Sequence, residues 1–379
     1  YVQLHFDELP VLPILDEEDE PVTISVGLPG RDVNARLWEI HVGRVPLYLL
    51  DTNVEGNSEA DRQLTARLYS SDLDLRISQE LILGVGGVRA LRVMGYNPSV
   101  WHMNEGHSAF LVLERVRGLL QGGSSFDGAV EQVRNSTVFT THTPVAAGHD
   151  EFPPAMVKPY MKPYEADFGM SVDQLVALGQ PDGAAPEAPF SMFIIGLRTA
   201  QYINGVSSLH GRVARSMWSH IWPTRTDDET PITHITNGVH IPTVLSPEIK
   251  RLYERHLGPQ WNMGSTIPEN ADRIDDIFDE ELWQAHEMSR SRLIRMVREL
   301  MHRQYGRRNA PVNIMKAVDS VLDQDTLTIA FARRFATYKR AHLLFRDPER
   351  LEAIINSTDR PVQFIFAGKA HPKDNEGKG

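Results

Sequence analysis

The chain has 379 residues, no cysteine and a formal net charge of -11, with 41% hydrophobic and 23% charged residues. That length accommodates about two or three domains with a substantial core, and zero cysteines exclude disulfides and thiolate metal sites and fit a reducing compartment. The acidic balance argues against a nucleic-acid surface, and no apolar run approaches the roughly 20 residues of a membrane span. The chain opens on Tyr1 with no signal-like region and closes on Gly379 just after a strand-like run, so an internal fragment is expected.

Residues 16–20, Asp-Glu-Glu-Asp-Glu, read as a solvated acidic loop. Residues 22–26 have the pattern of a strand, 28–31 that of a turn, and 35–42 with 45–50 that of a hairpin across Gly43 and Arg44. Trp38 and His41 are expected as packed or surface residues of that hairpin. Between 77 and 93 the apolar spacing is helical, but Gly84, Gly86 and Gly87 interrupt it. Each glycine costs a helix about 1 kcal/mol relative to alanine, so close packing against another backbone or a ligand is expected in compensation. No strand leads into this glycine run, which excludes a dinucleotide fingerprint.

Residues 97–103 read as a short strand, 104–107 (Asn-Glu-Gly-His) as a turn and 108–119 as a helix. After a loop at 121–125 and a helix end at 129–134, the strand 137–140 delivers Thr141-His142-Thr143-Pro144. Two strands thus end in a histidine-bearing polar turn, about 40 residues apart, a spacing that suits strand–helix–strand repetition in a mostly parallel α/β sheet. Pro153 and Pro154 disfavour regular structure, and a long loop bearing Pro159, Pro163, Pro181, Pro186 and Pro189 flanks a weak helix near 172–178. Residues 190–197 suit a buried helix, continued toward 202–210, and a short helix is expected over 213–222. A charged loop at 224–230 precedes an extended segment, 232–242, that turns at Asn237 and Gly238. The pattern then changes, which divides the chain into domains 1–236 and 237–379. Helices are expected at 246–255 and at 275–304, the second with a break or two, followed by a loop at 305–308. The strand 326–331 runs into Arg333, Arg334, Lys339 and Arg340, with a helix from Ala336 onward and a further strand at 362–367.

Four cations within eight residues of an acidic chain are either a solvated face or an anion site. The end of a strand in an open α/β sheet is where ligands bind, which favours the second reading. Glu105, His107, His142 and Asn237 supply directional donors and acceptors at strand ends, suited to a hydroxyl-rich ligand, or are separately hydrogen-bonded residues. No metal is expected, because 104–107 lacks the helical spacing of a zinc site. No nucleophile motif surrounds a serine, and Glu105 with Asp72 would act as a hydrolytic acid pair only at a suitable separation. Trp101, Trp218 and Trp222 are candidates for stacking on a sugar, although tryptophans more often pack in cores.

Taken together, LYSSD at 68–72 with RISQE at 76–80, WHMNEGHSAF at 101–110, TTHTPVAAGHD at 140–150, YINGVSSLHG at 202–211, HITNGVHIPTVL at 234–245, FARRFATYKRAHLLF at 331–345 and IFAGKAHP at 365–372 resemble the bacterial type of the α-glucan phosphorylase family. The resemblance implies two Rossmann-like domains in the glycosyltransferase B arrangement, both incomplete here. It implies a glucan-binding domain over 1–236 and the start of a phosphate- and cofactor-binding domain over 237–379. The implied reaction is reversible phosphorolysis of an α-1,4-glucan from its non-reducing end, giving glucose 1-phosphate, with pyridoxal phosphate acting through its phosphate group. His142 then corresponds to the histidine that bonds the reacting glucose, and Asn237 to an asparagine on another sugar hydroxyl. Arg334 and Lys339 correspond to the pair gripping substrate and cofactor phosphates, with Arg333 in a slot occupied by lysine elsewhere. Glu105 and His107 resemble polar residues of the acceptor channel, Glu105 replacing an aspartate, and Asp72 the acid of its gating loop. The family's glycine-rich turn should precede Tyr1 and its cofactor lysine should follow Gly379; Lys369, Lys373 and Lys378 do not match that motif, so the fragment itself is expected to be inactive. Glucan and phosphate are the expected partners, with no nucleic acid, no membrane and a possible homodimer. A nucleotide-sugar glycosyltransferase of the same plan and a non-catalytic glucan-binding module are the alternatives.

Overall fold

A computed structural model describes residues 9–67, 72–142, 149–261 and 271–370. The chain forms two compact units, Tyr1–Asn237 and Gly238–Gly379.

The first unit opens with β1 (Leu12–Pro13), β2 (Thr23–Leu28), β3 (Arg31–Val42) and β4 (Val45–Asp51) in one antiparallel sheet. β3 is long enough to pair with β2 through its first half and with β4 through its second, so that Ile24 faces Ala35 and Leu37 faces Leu50. Ile24, Val26 and Leu28 are buried, as are Val33, Ala35 and Leu37, the alternation expected when one face meets a core. Trp38 donates from Nε1 to Asp51 and His41 pairs with Glu39, so both belong to the hairpin.

A helix follows as α1 (Leu73–Leu81), one π turn over Ile82–Gly86, and α2 (Gly87–Val93). The glycines therefore lie inside a continuous helical path. A Cβ on Gly84 would stand 2.7 Å from the Leu111 nitrogen and 2.9 Å from Phe110 Cβ, which is the close backbone packing anticipated from the sequence.

A four-stranded parallel sheet then forms the heart of the unit. Its strands are β5 (Trp101–Asn104) and, after α3 (Leu111–Gln121) and α4 (Phe126–Asn135), β6 (Thr137–Thr140). The chain continues through β7 (Glu151–Phe152), α5 (Pro154–Met161), β8 (Phe190–Ser191) and α6 (Met192–Arg198) to β9 (Tyr202–Gly205), α7 (Ser208–Trp218) and β10 (Ile232–His234). The order β10-β9-β6-β5 is parallel throughout, bearing out the strand–helix–strand reading. Phe139 of β6 meets Phe193 edge-on at 5.4 Å, and Phe193 stacks on Trp218 at 5.1 Å. Trp218 is thus a core residue rather than a sugar platform, and Trp101 lies under the Arg115 guanidinium at 4.8 Å.

Two expectations are corrected here. Pro153 and Pro154 do not exclude regular structure: Pro154 starts α5, because its fixed φ suits the first helical turn, and Pro159 falls close to that helix's end. The helix at 190–197 stops at Arg198, and Tyr202–Gly205 becomes a strand between β6 and β10. A run of Tyr-Ile-Asn-Gly carries little intrinsic strand signal; pairing on both sides supplies it.

In the second unit, α8 (Pro247–Leu257) is tied to α9 (Asp279–Arg307) by the Glu248–Arg292 ion pair and by Ser289 Oγ to Ser246 Oγ at 2.9 Å. The expected breaks in α9 are absent, since neither proline nor glycine occurs before Gly306, and acidic residues at its start and Arg307 at its end complement the helix dipole. β11 (Leu327–Ala332), α10 (Pro348–Ile355) and β12 (Val362–Ala367) make a second strand–helix–strand unit, with the strands parallel and in register from Leu327↔Val362 to Ala332↔Ala367. The helix expected from Ala336 is replaced by two 3₁₀ turns, Thr337–Lys339 and Ala341–Phe345, because Arg340 between them has φ +62°. Among the described residues, no helix is long and apolar enough to cross a membrane.

Candidate functional site

Polar residues gather where β5, β6 and β9 end. Thr140 Oγ1 donates to Asn204 Oδ1 at 2.9 Å and accepts from His102 Nε2 at 2.7 Å, which makes Nε2 the protonated nitrogen of that ring. The ladder runs one residue past the strands: Glu105 N donates to Thr140 O at 2.9 Å and Thr141 N to Asn204 O at 3.0 Å. Beyond it, Glu105 adopts φ +64° and ψ −172°, is 7% exposed, and accepts the His142 N–H on Oε1. His142 Nδ1 is buried and has no hydrogen-bond partner among the described residues. Asn237 belongs to the same edge, its N–H donating to Val206 O at 3.1 Å just past β9, with an exposed side chain.

A second cluster joins α1 to the turns after β5 and before β7. Arg76 and Glu80, one helical turn apart on α1, meet His107 and Asp150. Arg76 Nη2 lies 2.8 Å from Asp150 Oδ2 and 2.7 Å from His107 Nδ1, and His107 Nδ1 lies 3.0 Å from the same carboxylate oxygen. Only one hydrogen fits between the two nitrogens, so Asp150 Oδ2 serves as the common acceptor. Burial pushes the Glu80 carboxyl up to about 8, partly offset by His107. The hydrogen bonds to Asp150 and Glu80 raise the His107 imidazole to about 9 against the opposing effect of burial. Burial opposes ionisation of Asp150, but His107 and Arg76 outweigh it and hold that carboxyl well below its usual range. Glu80, His107 and Asp150 have ligand atoms within 4.8 Å of one another, a spacing compatible with a metal. The Arg76 guanidinium places a cation beside two of these groups, 3.2 Å from Glu80 Oε1 and 2.8 Å from Asp150 Oδ2.

In the second unit, Arg333 and Arg334 follow β11 directly and are exposed. The loop they open is fastened to the end of β12: Phe335 N donates to Lys369 O at 3.1 Å, and a Cβ on Gly368 would fall 2.0 Å from Arg333 O, so only glycine allows this crossing. Lys339 Nζ sits over the Tyr338 ring at 4.8 Å. Among the described residues, no ion pair involves Arg333, Arg334, Lys339 or Arg340, which leaves the group available for an anion.

Of the residues singled out from sequence, Glu105 and His142 are in direct contact and Asn237 lies on their edge. His107 belongs to the second cluster. Asp72 is the N-cap of α1, its carboxylate accepting from Asp74 N at 2.9 Å and from Leu75 N at 3.4 Å. Arg333, Arg334 and Lys339 share one loop of the second unit; Lys373 and Lys378 lie outside the described residues. Arg76, Glu80, Asp150 and Asn204 were missed. The i,i+4 pair of Arg76 and Glu80 was the available signal, but its partners lie far along the chain.

An open parallel sheet with charged and amide side chains collected past its strand ends has the construction of a ligand-binding or catalytic crevice in an α/β protein. The chain is homologous to the glycogen and maltodextrin phosphorylases. It is 43% identical over 372 residues to a maltodextrin phosphorylase of Thermococcus litoralis, covering 98% of this chain and 43% of that protein. It is 39% identical over 371 residues to a glycogen phosphorylase of Aquifex aeolicus, covering 98% of this chain and 53% of that protein. A glycogen phosphorylase of Mycobacterium tuberculosis is 41% identical over 391 residues, with 100% of this chain and 45% of the relative covered. The chain spans about half the length of the curated relatives it matches. No family model matches it.

Proposed function

We propose that this chain is part of an α-glucan phosphorylase that transfers a glucosyl unit reversibly from the non-reducing end of an α-1,4-glucan to inorganic phosphate. The observation that carries this reading is 43% identity to a maltodextrin phosphorylase across 98% of the chain. In this reading the two units are Rossmann-like domains, 1–236 for glucan and 237–379 for phosphate and cofactor, in the glycosyltransferase B arrangement. His142 hydrogen-bonds the reacting glucose and stabilises the positive charge that develops at its anomeric carbon. Asn237 bonds a second hydroxyl, and Asp72, Glu105 and His107 serve the acceptor side. Arg334 and Lys339, with Arg333, grip phosphate oxygens. Their donor set, three cations with no ion-pair partner among the described residues, fits a phosphate monoester such as that of pyridoxal phosphate. When bound, that cofactor supplies a phosphate group able to exchange a proton with the substrate phosphate. A cytoplasmic homodimer belongs to the same proposal.

The test uses the protein at the length of its relatives, supplied with pyridoxal phosphate, maltodextrin and phosphate, and measures glucose 1-phosphate. His142→Ala and Arg334→Ala are each expected to lower turnover by at least about 100-fold. Unchanged turnover in either removes the role assigned to it. Glucose transfer from a nucleotide sugar in place of phosphorolysis would favour the alternative transferase, and glucan binding with neither reaction would favour a binding module.

A further inference from the structure

We propose that Glu105 is a positioning residue: its carboxylate fixes the main chain at His142, and its unusual backbone conformation is the device that aims it there.

Regular continuation of β5 would carry residue 105 to the same face as Met103, which is 0% exposed, and would send a carboxylate into the apolar core. The backbone instead turns at φ +64° and ψ −172°, a region that is essentially glycine's alone. The Glu105 N–H still completes the ladder to Thr140 O at 2.9 Å, so the turn begins without loss of strand pairing. Its outcome is a side chain only 7% exposed whose Oε1 receives the N–H of His142, the second residue past β6. Two neighbouring strand ends are thereby locked through one part-buried bond, while Thr141 N is held by Asn204 O from the other side. Strain of this kind persists where surrounding structure over-determines it, and here the neighbouring residue is the one assigned to the sugar. A group so buried and so engaged acts on the reaction through the main chain at His142, a role that replaces the acceptor-side contact given to Glu105 by the resemblance alone.

This inference rests on the phosphorylase reading for its kinetic part alone. The experiment compares Glu105→Ala, Glu105→Gln and Glu105→Gly in the protein at its relatives' length by hydrogen exchange at the His142 amide, thermal stability, and phosphorolysis kinetics. Glu105→Ala is expected to lose about 10-fold or more of the protection at His142 while that at Phe139 stays unchanged. Its kcat is expected to fall about 10- to 100-fold with the KM for phosphate little altered. Glu105→Gln keeps an acceptor oxygen and should retain protection and most of kcat. Glu105→Gly relieves the backbone and should melt no lower than Glu105→Ala while remaining as slow. Unchanged protection at His142 in the alanine variant, or wild-type kcat in the glycine variant, would overturn the proposal. Should the alanine variant not fold, the glutamine and glycine variants decide between the same outcomes. If the protein performs no phosphorolysis at all, the functional reading fails, and hydrogen exchange still decides whether Glu105 holds His142.

Discussion

At the scale of the residue, the cluster of Arg76, Glu80, His107 and Asp150 makes the clearest demand on pH. His107 is raised from 6.5 to about 9, and Glu80 from 4.5 to about 8. In both cases the folded protein binds the proton more tightly than the unfolded chain. The stability they contribute is therefore complete below the unfolded values and is lost as pH rises through about 8 for Glu80 and about 9 for His107. Asp150 works the other way, its contribution disappearing only as pH falls well below the usual carboxylate range. Thermal stability should accordingly decline between pH 6 and pH 9 in a pH-scanned melt. Glu80→Gln should flatten that decline by up to about 1.4 kcal/mol per pH unit, one proton's worth. A pH profile identical in wild type and variant would remove Glu80 from this account. In Asp150→Asn the imidazole loses its ionised acceptor, so histidine-selective NMR should find His107 titrating lower, toward its ordinary value.

At the scale of the element, the path from α1 through the π turn to α2 carries two glycines with opposite expected effects. Gly84 faces backbone, with a Cβ placed 2.7 Å from Leu111 N, and backbone cannot withdraw as a side chain end can. Gly84→Ala should destabilise the protein by about 1–3 kcal/mol. Gly87 is helical at φ −59° and a Cβ there would meet nothing within 4 Å. Gly87→Ala should stabilise by roughly 0.5–1 kcal/mol, because alanine gives up less backbone entropy on folding. Chemical denaturation of the two variants checks both signs. From sequence the three glycines were one interruption; their separate duties depend on Phe110 and Leu111, whose contact with this turn is a tertiary event.

At the scale of the whole molecule, the two units differ in how fully they cover their apolar residues. The first buries Phe110, Phe139, Phe152, Phe190 and Phe193 completely, whereas in the second Leu327, Ile329, Phe345 and Phe366 remain exposed. Parallel strands are normally covered on both faces, so β11 and β12 call for further covering structure. Residues 1–379 produced alone should bind a hydrophobic dye more strongly than the protein at its relatives' length; equal, low emission from both would contradict this. The strand ends bearing Glu105 and His142, the parallel repetition and the cationic loop after β11 were all legible in the sequence, because each depends on local pattern: alternation, turn residues and charge at fixed short spacing. The strand Tyr202–Gly205 and the unbroken α9 were read less well, the first because its partners and not its residues make it a strand. What only the tertiary structure decided is which polar groups meet. Asp150 reaches Arg76 across 74 residues of sequence and Glu105 reaches the His142 main chain across 37, contacts that follow from chain crossings and one left-handed residue. Local sequence specified the chemistry available at each strand end; the packing of the sheet specified which of those groups hold one another and which remain to meet a ligand.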